Sequence, residues 1–301
     1  RILPPLLFAA AMTAAPFAAA PSALATDAVS ADAIAARYAE LLERDYLYPE
    51  TGRRYGEAIR AGIAAGRYRG LTGEALATAN DTDVRAVASD GHLRLRVPQG
   101  SPAASPPAPG GSAPAQRPPK VPVEQAGWIA PGIAFVRFNV FPDDPDVTAA
   151  AAKFMAHHAD AKAIIFDIRT HNGGGLDQMD VIFPWLFDKE TRLVTMATRA
   201  SVDAAGGSPI EGVASVRMAP SAAGMVAREH WATPNADPRL RDAKIYVLTS
   251  GASASAAEHF ALAMKHTGRG VLVGAPTAGA NHFGRGEDLG GGYAAFIPVG
   301  R

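Results

Sequence analysis

The chain has 301 residues, enough for one large or two small domains, and its 29 basic and 29 acidic side chains cancel. No net field draws such a chain to nucleic acid or to an anionic membrane surface, which excludes those partners. Apolar residues make up 48%, charged residues only 19%, and cysteine is absent; a packed core is expected, while disulfides, thiolate metal sites and cysteine nucleophiles are excluded.

Residues 2–20 are apolar and uncharged behind Arg1, and Ala23-Leu24-Ala25 supplies a small-x-small cleavage pattern before Thr26-Asp27. Residues 1–25 therefore read as a secretory signal peptide, with a membrane anchor disfavoured by Pro4, Pro5 and Pro16 and by the short run. The expected location is periplasmic or secreted, with no stable span left after cleavage. Arg1 in place of Met, and a stop directly after the apolar YAAFIPVGR, read as the ends of a piece of a longer chain.

From about residue 28 to 80 the apolar residues recur at helical spacing, first Ile34, Tyr38, Leu41, Leu42 and Tyr46, then Tyr55, Ile59 and Ile63. Val84, Val87 and Ala88 carry the pattern to the turn Ser89-Asp90-Gly91, after which Leu93, Leu95 and Val97 alternate as in a strand. Residues 26–97 thus form a helical N-terminal cap ending in the strand that follows His92. Residues 98–122 are Pro-, Gly-, Ser- and Ala-rich and cannot bury enough surface to offset their ordering entropy, so they read as a linker. Residues 123–301 form the second part. Strands are expected at 132–141, 161–169, 192–200, 244–250 and 270–276, and helices at 146–160, 178–187 and 255–266. That alternation predicts an α/β core rich in parallel strands.

Three segments carry chemistry. In LTSGASASAAEHF (248–260) a buried strand turns into a helix near Ala254. A hydroxyl in a first helical turn sits beside free N–H groups and the positive end of the helix dipole, which suits a nucleophile that generates an oxyanion. Ser253 and Ser255 both compete for that role. A plain N-cap is the favoured reading of the segment alone, because Ser255 with Glu258 fits a capping box. In FDIRTHNGGG (166–175) three glycines follow a strand, and their N–H groups can face an anion; a tight turn is the plainer reading. In SDGHLRL (89–95), His92 stands where an imidazole can act as general base. His157 and His158 are expected to be solvated, and His282 in the Gly-rich PTAGANHFGRG (276–286) is an alternative base. No close metal-ligand spacing occurs, so neither metal nor cofactor is expected.

In order, SDGHLRL, GIAFVRFNVF, AIIFDIRTHNGGG, YVLTSGASASAAEHFALAMK and VLVGAPTAGANHFG resemble the tail-specific, or C-terminal processing, serine peptidases. The resemblance is to the branch nearer tricorn core peptidase and interphotoreceptor retinoid-binding protein, and it covers most of residues 85–301. It implies a ClpP/crotonase-like core of ββα units behind a helical cap, a peptide or protein substrate, and no cofactor. It places the nucleophile on Ser255, the oxyanion hole on the N–H groups of Ala256 and of Gly173 or Gly174, and the base on His92. The lysine base of the processing branch would fall 25 residues after the serine, on Ala280, so a Ser–Lys dyad is ruled out. An acidic residue of the branch follows the P-x-G-R string seen here at 298–301. Two further readings share the fold: a non-catalytic binding protein for an apolar ligand, and an acyl-CoA enzyme. The oligomeric state is not legible.

Overall fold

The computed structural model describes residues 29–98 and 120–301. The expected signal peptide and most of the expected linker lie outside the described residues.

Three helices open the described chain: α1 (Ala31–Asp45), α2 (Pro49–Ala64) and α3 (Gly73–Val87). Ser30 caps α1 by accepting the Ala33 N–H at 3.1 Å, and Pro49 starts α2 where its missing N–H costs nothing. The apolar stripes bury Ile34, Tyr38, Leu41, Leu42, Tyr55 and Ile59. The turn holding Asp90 and His92 leads into β1 (Arg94–Arg96).

The second part begins with β2 (Val123–Ala130) and β3 (Ile133–Phe138), an antiparallel hairpin. After α4 (Pro145–His157), β4 (Ala163–Asp167) pairs in parallel with β3, leading to α5 (Asp177–Ile182). β5 (Thr191–Arg199), α6 (Ala200–Ala204), β6 (Val216–Ala219) and β7 (Met225–Ala232) follow. Next come β8 (Lys244–Thr249), α7 (Ala256–His266) and β9 (Gly270–Gly274), then the hairpin β10 (Phe283–Gly290) and β11 (Tyr293–Gly300).

These strands make two sheets. One runs β2-β3-β4-β8-β9, parallel from β3 onward; the other runs β1-β11-β5-β7-β6, with β10 also on β11, and its pairings are all antiparallel. The alternation of strand and helix anticipated the parallel sheet. Of the antiparallel one only β1 and β5 were anticipated, because β6 and β7 lie in a stretch that reads as polar (Arg217, Arg228, Glu229, His230) and β10 is Gly-rich.

Two cores follow. The larger packs Phe138, Phe141, Phe166, Phe183 and Phe260 between the parallel sheet and its helices. The smaller joins α1–α3 to Leu289, Tyr293, Ile297 and Val299 of the terminal hairpin. β1 pairs with β11 in register Arg94↔Phe296, and Tyr293 Oη accepts the Gly73 N–H at 2.5 Å. The N-terminal helices thus share one core with the last strands of the chain, and this pairing carries the Asp90–His92 turn to the rim of the second part.

Candidate active site

Strand β8 ends at Thr249, and the chain turns through Gly251–Ala254 into α7. Ser253 is buried, donating its hydroxyl to the Ile168 carbonyl at 2.8 Å and accepting the Ser250 N–H at 3.0 Å. Its oxygen is committed to holding two turns together. Ser255 is different. It is the only non-glycine residue among the described ones at positive φ (φ 56°, ψ −116°). Such a backbone costs about 1–3 kcal/mol and needs surroundings that enforce it. Its N–H donates to the Ala280 carbonyl at 3.1 Å and to Glu258 Oε2 at 3.0 Å. Glu258 Oε1 also accepts the Gly279 N–H at 2.7 Å, so one carboxylate fastens the serine turn to the 275–282 loop. A strained residue on a strand-to-helix turn is the geometry that presents a nucleophilic hydroxyl in hydrolase elbows.

The glycine turn after β4 lies against this serine. A Cβ on Gly173 (φ 117°) would stand 3.0 Å from Ser255 Cβ and 3.3 Å from Oγ, and one on Gly174 (φ 132°) would collide with the Phe141 carbonyl. Both positions therefore demand glycine. Their N–H groups have different fates. That of Gly173 donates to His171 Nδ1 at 3.1 Å, which corrects the expectation that either glycine is free to bind an anion. Those of Gly174 and Ala256 have no acceptor among the described residues. His171, which sequence reasoning passed over, is sealed in the core edge-on to Phe141, and burial first, then the charge of Lys120, pushes it down to about 3. It is a neutral wedge that orients the glycine turn.

The histidines from the cap and the loop converge on one carboxylate. Asp90 accepts the His92 backbone N–H at 2.9 Å and the Tyr46 hydroxyl at 2.9 Å, and contacts His282 Nδ1 at 2.8 Å. His92 Nδ1 lies 3.6 Å away. Burial raises the carboxyl's affinity for protons, but the hydrogen bonds from His282, His92 and Tyr46 outweigh it, so Asp90 stays charged well below the usual carboxylate range. Donor atoms of Asp90, His92 and His282 all lie within 4.8 Å of one another, close enough to hold a metal ion. The ligand pattern was invisible to spacing rules because His282 lies far along the chain from Asp90. The clue to Asp90 was its place in the turn just before His92.

A cavity of about 1110 Å³ joins these parts; its wall includes Ser255, Ala256, Gly174, Glu258 and His282. His92 is not part of that wall. Ala280, where a lysine base would fall, lies beside the Ser255 backbone, as its carbonyl contact shows, and carries no amine. Of the remaining histidines, His157 is exposed as expected, but His158 is not: it is buried against Phe154 and Trp128, with Nδ1 2.7 Å from the Phe154 carbonyl. The aromatic shelf of β2, unrecognised in the sequence, covers it.

A serine on a strained turn beside free N–H groups, in one cavity with the carboxylate-bound His282, is compatible with a serine-type hydrolase. The comparisons make the class definite. Residues 132–301 match peptidase family S41, and the chain belongs to that family, whose serine-type peptidases hydrolyse peptide or protein substrates. The fold is similar to that of a photosystem II D1 C-terminal processing protease (TM-score 0.56, 16% identity, 90% of this chain and 88% of that one). It is also similar to that of a Parabacteroides merdae protein described as a peptidase (TM-score 0.57, 15% identity, 89% and 82%). No curated protein sequence matches. Family membership decides for the hydrolase over the binding-protein and acyl-CoA readings.

Proposed function

We propose that this chain is an exported peptidase that cleaves through a Ser255 acyl-enzyme. The observation that carries the reading is the strained Ser255, set in the cavity wall with the unpartnered N–H groups of Gly174 and Ala256. Ser255 Oγ attacks the scissile carbonyl and passes its proton to an imidazole; the two N–H groups hold the resulting oxyanion; the imidazolium returns the proton to the leaving amine, and water completes the cycle. Asp90 holds the imidazole pair and favours its charged form in the transition state. Export rests on the leader-like residues 1–25, and release of the mature chain into a periplasmic or culture fraction tests it.

The resemblance puts the base on His92. A specific observation favours His282: it lines the cavity with Ser255, and its Nδ1 lies 2.8 Å from Asp90, which leaves Nε2 as the proton acceptor. Single variants separate the two. His92→Ala and His282→Ala are compared for peptide turnover, with Asp90→Asn as reference; the base variant should lose on the order of 10³–10⁴ in kcat. If neither histidine matters, the proposed mechanism falls.

A further inference from the structure

One cluster of titratable groups, buried at His230 and half-buried at Asp180 and His259, has no part in this chemistry. Asp180 on α5, His230 on β7 and His259 on α7 form a chain: Asp180 Oδ1 lies 2.8 Å from His230 Nε2, and His230 Nδ1 lies 2.8 Å from His259 Nε2. Ser215 donates to the other Asp180 oxygen at 2.9 Å. The first contact uses His230 Nε2 and the second uses His259 Nε2, so His259 Nδ1 is the one ring nitrogen that the chain leaves over. Burial, with His230 beside it, pushes His259 down to about 3, so the ring is neutral.

His259 Nδ1 has no hydrogen-bond partner among the described residues, yet it is not among the polar atoms sealed from solvent without one. His259 lines the same cavity as Ser255, and its N–H donates to the Ser255 carbonyl at 3.0 Å, one helical turn away. Ser255, Glu258, His259 and Leu262 fall on one face of α7 and all line the cavity. Apolar Val194, Met196, Ile210 and Val213 line the same cavity. A ring that shares the cavity wall with the nucleophile is within the space that a substrate side chain beside the scissile carbonyl would fill.

We propose that His259 is a specificity-determining residue, whose free ring nitrogen hydrogen-bonds a substrate side chain with an apolar body and a hydroxyl at its tip. This deepens the peptidase reading and rests on it. Tyrosine fits this description; phenylalanine is its match without the hydroxyl. One net hydrogen bond corresponds to roughly tenfold in rate.

The test uses diphenyl phosphonates built on tyrosine and on phenylalanine, alongside a small fluorophosphonate that needs only the nucleophile. The wild-type chain should react roughly tenfold faster with the tyrosine probe. His259→Leu should bring that ratio close to one while keeping the fluorophosphonate rate, and His259→Gln, whose amide offers both a donor and an acceptor, should restore the preference. Equal wild-type rates overturn the inference, as does a ratio unchanged in His259→Leu. Loss of fluorophosphonate reaction in folded His259→Leu assigns the ring to the chemistry and also overturns it. Should His259→Leu not fold, the wild-type ratio and His259→Gln decide. A wild-type chain inert to the fluorophosphonate fails on the peptidase reading itself, which separates the two failures.

Discussion

At Ser255 the backbone angles and the side chain make opposing demands. A φ of 56° with ψ −116° is glycine territory, and a serine is held there by its N–H bonds to Ala280 and Glu258. The proposed function gives that cost a purpose, the hydroxyl. The expected outcome is that Ser255→Gly and Ser255→Ala are both inactive but differ in stability. Glycine relieves the strain and alanine does not, so chemical denaturation should find Ser255→Gly more stable than Ser255→Ala by about 1 kcal/mol. Equal stabilities would mean the turn is not strained.

Among the elements, α7 and the 275–282 loop act together, because Glu258 accepts from both Ser255 and Gly279. Glu258→Ala removes the acceptor half of a capping box and frees the loop that carries His282. A loss of about 1 kcal/mol in stability is expected, with a larger fall in fluorophosphonate labelling rate than stability alone explains. An unchanged labelling rate would show that the loop is positioned by other contacts. This capping box was legible in the sequence as Ser255 followed by Glu258, and there it argued for a plain helix start. In the structure the cap is present, with Glu258 accepting the Ser255 N–H, and under the proposed function the same serine also serves the chemistry. Elements with strong periodicity, such as α1, β4 and α7, were legible for the same reason that they fold, namely one or two fully apolar faces. Strands β6, β7 and β10 were not, since their residues are charged or glycine and gain their place from neighbours distant in sequence. Asp90 and His171 escaped notice likewise: one reads as part of a turn, the other as a polar residue before glycines, and only tertiary burial gives either its role.

At the scale of the whole molecule, the shared core of α1–α3 and the β10–β11 hairpin explains how a turn near residue 90 reaches His282 on the cavity wall. The assembled fold also buries neutral imidazoles, and this sets its response to acid. His171 and His259 are held down to about 3 by burial, with Lys120 and His230 as the lesser causes, against an unperturbed value of about 6.5. Between these limits the unfolded chain binds protons that the folded chain refuses, so stability must fall as pH drops from about 6.5 toward 3. Asp90, depressed in the folded state, adds a loss of the same sign below about pH 4. Denaturant midpoints measured across this range should decline steadily, and His259→Gln should make the decline shallower. A flat profile would contradict the burial of these rings.

The most direct test of the account is to label the whole chain with a fluorophosphonate and map the modified residue by mass spectrometry. The account predicts a single adduct on Ser255 and none in Ser255→Ala, with a wild-type circular dichroism spectrum. An adduct on another serine, or a folded wild-type chain that takes none, would contradict it.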